Sequence, residues 1–228
     1  NQIVTDRVWH ELAFGLENLG VAQDAIRRRV AEMANFFGIQ TWFHRDTMHL
    51  SGGQKQLLNL ASIMVMQPDV LILDEPTSQL DPIAATEFIQ TLYKLNQELG
   101  LTIVLVEHRL EEVYALADRV VVLEKGHIIA NDTPQKVAHA LQSIDICHPM
   151  IQTLPTPLRI HHALEMQDEA PLTIRDGRTW CAKHFRQGAI VQTSSFIKTT
   201  PIIEVTDGYF RYERDQADIL KNFHFTLY

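Results

Sequence analysis

The sequence predicts an α/β fold with a mostly parallel sheet, on two observations. Strand patterns alternate with helix patterns along the chain. Two of the strands, Val70-Leu71-Ile72-Leu73 and Thr102-Ile103-Val104-Leu105-Val106, are near-continuous apolar runs, as expected of parallel strands covered on both faces. Ile26, Val30, Met33 and Phe37 place an amphipathic helix over 22–37, and Gly38 stands at its stop. The run Arg27-Arg28-Arg29 is read as its solvated face. Ser51 and Gln54 form a capping-box pair that starts a helix through Leu57, Leu60, Ala61 and Met64, with Pro68 just beyond it. Asp81-Pro82 starts another helix, ended by Gly100. A helix over 110–117, a strand over 119–123 and a Lys125-Gly126 hairpin into His127-Ile128-Ile129 follow.

The pattern weakens after Thr133-Pro134. A helix to about Leu141 and a short one over 158–166 are expected. Residues 143–200 carry prolines but also Leu154, Leu158, Ile160, Leu164, Leu172 and Ile174. They should therefore pack on the preceding half rather than form a free tether. Alternating strand patterns return at 202–205, 209–212 and 223–227.

With 228 residues, 46% of them hydrophobic, the chain can build one core, or one domain and part of another. A net charge of -8 disfavours nucleic acid as a partner, since neutralising phosphates needs clustered Lys and Arg. No apolar run approaches the roughly 18 residues of a membrane span. The opening residues resemble neither a signal nor a transit peptide and lack an initiator Met, so the expectation is a segment cut from a longer protein. Cys147 and Cys181 make no disulfide framework and fit a reducing, cytosolic compartment. Cys147-His148 and Cys181-x-x-His184 lack a paired Cys-x-x-Cys, and zinc is set aside.

The residues with chemistry come in a fixed order. Leu50-Ser51-Gly52-Gly53-Gln54 puts two glycines and a serine at a helix N-terminus, where backbone amides can approach an anion. Alone, it is a capped helix start. The apolar strand at 70–73 delivers Asp74 and Glu75 at its C-terminal end, the edge where α/β sheets bind ligands. Asp74 is placed to organise Mg²⁺, and Glu75 to orient or deprotonate a water. Alone, such a pair is a solvated turn. Ser78-Gln79-Leu80-Asp81 follows, and His108 ends the next buried strand.

Taken together, these four motifs resemble the ABC ATPase family of P-loop NTPases. Leu50–Gln54 matches the family's signature loop, 70–75 its Walker B strand with catalytic Glu75, 78–81 its D-loop ending on Asp81, and His108 its switch histidine. Gln79 stands where Ala is common, and Leu57 where many members carry Arg. The resemblance implies that Ser51, Gly52, Gly53 and Gln54 contact ATP held by a second ABC ATPase domain, while Asp74 (for Mg²⁺), Glu75 and His108 serve the nucleotide of their own domain. The opening, Thr5-Asp6 through Leu12-Ala13-Phe14-Gly15 to Asn18-Leu19-Gly20, resembles the energy-coupling-factor branch of vitamin, cobalt and nickel importers. That implies transmembrane transporter subunits as partners, a peripheral place on the cytoplasmic face of the membrane, and Gln2 on a short helix facing them. Trp9 and Phe14 are candidates for that docking surface, or for the core.

No Gly-x-x-x-x-Gly-Lys-Ser/Thr occurs in the 228 residues, so the loop that holds the nucleotide phosphates is missing. Residues 202–228 resemble the opening strands of another ABC domain, with Tyr212 at the aromatic that stacks on adenine. The domains expected are therefore 1–133, the later part of a truncated first ATPase domain with its helical subdomain; 134–200, an extension or linker; and 201–228, antiparallel strands of a second. The resemblance thus implies the middle of a tandem fusion, expected to be inactive by itself. Two rival readings stand against this. A ribosome-acting ABC protein should carry a long charged helical linker, and a DNA-repair member a long coiled coil before the signature; neither pattern occurs here. A non-catalytic ABC-fold interaction module is disfavoured by the presence of both Glu75 and His108.

Overall fold

The computed structural model describes residues 3–144, 148–166, 168–185, 200–212 and 217–228. The chain divides into two units, Asn1–His184 and Phe185–Tyr228.

The first unit has two cores. In one, helices α1 (Val8–Asn18), α2 (Gln23–Phe36), α3 (Gly52–Met64) and α4 (Pro82–Leu99) pack with strands β1 (Val70–Asp74) and β2 (Thr102–Val106). On α1, Val8, Leu12 and Leu16 recur every fourth residue and are wholly buried. Gly38 and Gly100 end α2 and α4 with φ of 67° and 66°, a left-handed conformation that costs glycine nothing. Strands β1 and β2 pair in parallel, from Val70 opposite Thr102 to Asp74 opposite Val106.

The pair is covered on one face rather than two. Leu71, Leu73, Ile103 and Leu105 belong to the helical core, whereas Ile72 is 72% exposed and Val70, Val104 and Val106 are about half exposed. Successive residues of a strand point to opposite faces, so an apolar run makes both faces apolar whether or not both are covered.

The second core joins the antiparallel hairpin β3 (Val120–Glu124) and β4 (His127–Asp132) to helices α6 (Pro134–Ile144), α7 (Thr156–Ala163) and the 3₁₀ turn Pro149–Thr153. Lys125 and Gly126 both have positive φ, as a two-residue hairpin turn requires. The helix expected over 110–117 is shorter: α5 (Leu110–Val113) passes into a 3₁₀ turn at Tyr114–Leu116. There Tyr114 enters the second core, its hydroxyl donating to the Pro134 carbonyl at 2.9 Å, and burial pushes its pKa up. Leu154 and Leu158 are buried in this core with Val137 and Leu141, so residues 149–163 pack as expected. Ile160, Leu164 and Ile174 stay exposed. Cys147 and residues 186–199 lie outside the described residues.

Helix α8 (Ile174–His184) was not anticipated, although its capping box is in the sequence. Thr173 Oγ1 accepts from the Asp176 amide at 3.1 Å, and the Asp176 carboxylate accepts from the Thr173 amide at 3.3 Å. Asp168 fastens α8 to α7. It accepts from His161 Nε2 at 3.0 Å and Trp180 Nε1 at 2.8 Å, and His184 Nε2 lies 3.2 Å from its Oδ2 as an ion pair. Gly177 allows the close approach, since a Cβ there would lie 3.1 Å from Pro157 Cβ.

The second unit is an antiparallel pair, β5 (Ile203–Phe210) and β6 (Leu220–Leu227). The two strand patterns expected at 202–205 and 209–212 are one strand with an irregular register. At Gly208 a Cβ would meet Val205 at 3.1 Å and the Phe223 carbonyl at 3.3 Å, so only glycine keeps the strands this close.

Partial burial of Asp168 favours its neutral form, but the bonds from Trp180 and His161 and the charge of His184 outweigh it and hold its pKa below the ordinary aspartate value. A carboxyl depressed in the folded state stabilises it above the unfolded pKa and loses that contribution as pH falls through the folded value. The Trp180 indole N–H resonance should therefore stay in its bonded position from neutral pH through the ordinary range of aspartate titration, and be lost only as pH falls through the depressed value. Loss of the bonded resonance well above that value would contradict the assignment.

Candidate functional site

Two helix starts meet at one cleft. At the first, Ser51 Oγ accepts from the Gln54 amide at 3.2 Å, and Gln54 Oε1 accepts from the Ser51 amide at 3.1 Å. The Lys55 amide is taken by the Ser51 carbonyl. The amides of Gly52 and Gly53 are thus left as the free donors of the first turn. At the second start, Asp81 Oδ1 accepts from the amides of Ile83 and Ala84, both at 3.0 Å, and Pro82 opens α4. A Cβ on Gly53 would lie 3.2 Å from Ala84 Cβ, so α3 reaches α4 this closely only with glycine there. Between them lies a cleft of about 550 Å³, with Ser51, Gly52, Gly53, Gln54, Gln79 and Asp81 in its lining. The unused Gly52 and Gly53 amides at the N-terminus of α3 are the donors that suit an anion here, while the start of α4 is already taken by the Asp81 carboxylate.

A second cluster sits at the C-terminal ends of β1 and β2. The Glu75 amide donates to the Val106 carbonyl at 2.9 Å and extends the ladder one step beyond Asp74. Glu75 has φ 45°, a left-handed conformation uncommon outside glycine, which turns the chain out of the strand. Its Oε1 lies 2.8 Å from His108 Nε2. A carboxylate only accepts, so His108 carries the proton on Nε2 and donates. Glu75 is 43% and His108 81% exposed, which leaves both within reach of solvent and ligand. Asp74 is exposed beside them.

Glu107 holds the intervening loop and was missed in the sequence. Its Oε1 accepts from the Thr77 amide at 3.0 Å and the Thr77 hydroxyl at 2.7 Å, and Thr77 is buried. The available signal was positional: in the parallel register Glu107 follows directly on Val106, the partner of Asp74.

Not every sequence candidate joins these clusters. Tyr212 belongs to the second unit, where it is exposed and packs edge-on against Phe210 at 5.1 Å. Gln2 lies outside the described residues. Trp9 is 41% exposed and stacks on His10. Phe14 is half-buried and lines a separate cleft with Val4 and Met66. Of the residues weighed for zinc, His148 caps the turn at Pro149 and His184 binds Asp168. No helix among the described residues is long and apolar enough to cross a membrane.

The capping box gives a direct test of the geometry at the cleft. Ser51→Ala should lower stability by about 1 kcal/mol, the usual loss for an N-cap hydroxyl. Urea unfolding measures it. No change in midpoint would mean that Ser51 does not cap α3.

Comparison with known proteins places this architecture. Residues 4–78 match the sequence profile of the ABC transporter family. A putative ABC transporter ATP-binding protein of Bacillus anthracis is 41% identical over 226 residues, covering 97% of this chain and 40% of the relative. The energy-coupling factor transporter ATP-binding protein EcfA1 of Caldanaerobacter subterraneus subsp. tengcongensis is 42% identical over 164 residues, covering 70% of this chain and 58% of that protein. Among solved structures, cbiO1 from Clostridium perfringens, part of the ABC transporter complex cbiONQ, superposes with a TM-score of 0.58 at 32% identity. It covers 73% of this chain and 64% of its own. The chain therefore spans well under two thirds of the length of the first curated relatives it matches.

Proposed function

Given that the chain belongs to the ABC transporter family of ATP-binding proteins, we propose that it is part of the ATPase of an energy-coupling-factor importer, which couples ATP hydrolysis to uptake of a vitamin or metal ion. The observation that carries the hydrolytic part is the Glu75–His108 contact of 2.8 Å at the ends of two parallel strands. The likeness to EcfA1 and cbiO1 supports the importer part.

In this reading the two clusters serve different nucleotides. Glu75 accepts a proton from the attacking water or orients it, and His108 holds the Glu75 carboxylate in place. The residues at the strand ends fit Mg²⁺, since Asp74 is an exposed carboxylate with no competing ion pair among the described residues. Bound Mg²⁺ supplies charge neutralisation on the phosphates. Ser51, Gly52 and Gly53 offer hydroxyl and amide donors to a γ-phosphate seated on a second ATPase domain, with Gln54 and Asp81 shaping the cleft. Tyr212 supplies an aromatic face to adenine in that second domain. The open apolar face of Ile72, Val104 and Val106 is the seat of further sheet in the whole protein. Membrane subunits are the partners, and the place is the cytoplasmic face of the membrane.

Two outcomes test this. In the whole protein, Glu75→Gln should still bind ATP but hydrolyse it on the order of 10² to 10⁴ times more slowly, the range for loss of a general base. Steady-state turnover near that of the unmodified protein would remove Glu75 from the chemistry. The 228-residue chain by itself contains no phosphate-binding Gly-x-x-x-x-Gly-Lys-Ser/Thr loop. Calorimetric titration with Mg·ATP should accordingly show no binding tighter than about 1 mM. Micromolar binding would mean that another phosphate site exists in these residues.

A further inference from the structure

The most deeply buried acidic side chain among the described residues has no part in the chemistry above. Glu11 is 5% exposed. It faces no Lys or Arg partner among the described residues; its carboxylate is given to backbone. Oε1 and Oε2 accept from the Val4 amide at 3.3 and 3.1 Å, and Oε2 also accepts from the Thr5 amide at 2.8 Å. A buried carboxylate needs such bonds to be tolerated, and here they fasten the extended residues leading into α1 onto the helix itself.

The other edge of the same segment is held by Thr47, which is 4% exposed. The Thr47 hydroxyl donates to the Thr5 carbonyl at 2.8 Å and the Thr47 amide to the Asp6 carbonyl at 3.0 Å. Three further bonds join the same two stretches: Val8 amide to Arg45 carbonyl, Trp9 amide to Phe43 carbonyl, and Arg7 Nη1 to His44 carbonyl. From Thr47 the chain reaches the cleft without slack. The Leu50 amide donates to the Thr47 carbonyl, Leu50 is buried, and Ser51 caps α3.

We propose that Glu11 and Thr47 are positioning residues that join residues 3–7, the loop at 43–47 and the Ser51–Gln54 turn into one mechanical piece, so that a displacement of residues 3–7 moves the turn against the nucleotide. This rests on the ABC ATPase reading of Ser51–Gln54. Glu11 supplies the grip on the amides of residues 4 and 5, and Thr47 the grip on the carbonyls of residues 5 and 6. Neither touches the cleft. Their effect therefore falls on how firmly the turn is held rather than on ATP binding.

The test uses the whole protein, with steady-state ATPase kinetics and amide hydrogen exchange as paired readouts. Thr47→Val keeps the shape and removes the hydroxyl. It should lower kcat by up to about tenfold, what one ordinary hydrogen bond is worth, with KM for Mg·ATP unchanged. Exchange should quicken at the capping-box amides of Ser51 and Gln54 as well as at Val4 and Thr5, and Thr47→Ser should restore both readouts. Glu11→Gln should give the same pair of changes, and decides the matter if Thr47→Val does not fold. Faster exchange confined to residues 4 and 5, with kcat unchanged, would overturn the proposal and leave Glu11 a local cap. A Thr47→Ser protein as impaired as Thr47→Val would overturn it too. If Glu75→Gln leaves turnover intact, the hydrolytic reading fails by itself, and exchange at the Ser51 and Gln54 amides still decides whether the tie exists.

Discussion

The parallel register of β1 on β2 is the constraint from which the rest of the first unit follows. Setting Asp74 opposite Val106 brings the two strand ends level, and one further bond, from the Glu75 amide to the Val106 carbonyl, carries the alignment past the sheet. Glu75, Glu107 and His108 are then neighbours by construction. Glu107 uses the alignment to hold Thr77, and His108 to reach Glu75. A slip of one residue would turn every side chain to the opposite face and separate all of them. The helices act on this register from one side only. Leu71, Leu73, Ile103 and Leu105 enter the same core as Leu58, Phe88, Leu92 and Leu95, so the burial that drives folding also fixes where the carboxylates emerge.

The loop from Glu75 to Asp81 connects the two clusters and is rigid for local reasons. Its ends are a left-handed residue and an N-cap. Between them the Ser78 amide bonds the Glu75 carbonyl, the Leu80 amide bonds the Thr77 carbonyl, and Thr77 is pinned by Glu107. Asp81 then spends its carboxylate on the first turn of α4. The cleft at Ser51 and the pair at Glu75 are thereby kept at a fixed offset along one chain segment. This is the geometry that the proposed division of labour between two nucleotides needs.

The second core uses histidine in three different ways. His148 Nδ1 accepts from the Met150 amide, His162 bonds the Ala138 carbonyl, and His161 donates to Asp168. The first two imidazoles supply partners to backbone groups in short, irregular elements, and the third pairs a side-chain carboxylate. The Asp168 carboxylate, with donors from both α7 and α8, does for this layer what Glu11 does for the start of α1. In both places a carboxylate supplies the order that regular secondary structure does not.

The sequence by itself determined the elements whose signals are local. The capping box at Ser51, the Asp81-Pro82 start, the stops at Gly38 and Gly100 and the Lys125-Gly126 turn depend on residues within a few positions of one another. The signature, strand-end and histidine motifs were legible for the same reason: each is a short string with a fixed place on a helix or strand. What tertiary structure decided is everything that depends on distant pairs. Apolar runs at 70–73 and 102–106 do not tell how many of their faces are covered, and Ile72 proved exposed. Alternating patterns at 202–205 and 209–212 did not reveal one strand, because the bulge around Gly208 takes its register from Phe223 across the pair. Glu11, Glu107 and Asp168 look in sequence like ordinary solvated carboxylates. Only folding brings them to Val4 and Thr5, to Thr77, and to Trp180, because a carboxylate can accept from any donor the fold presents and its partner leaves no periodic mark on the chain.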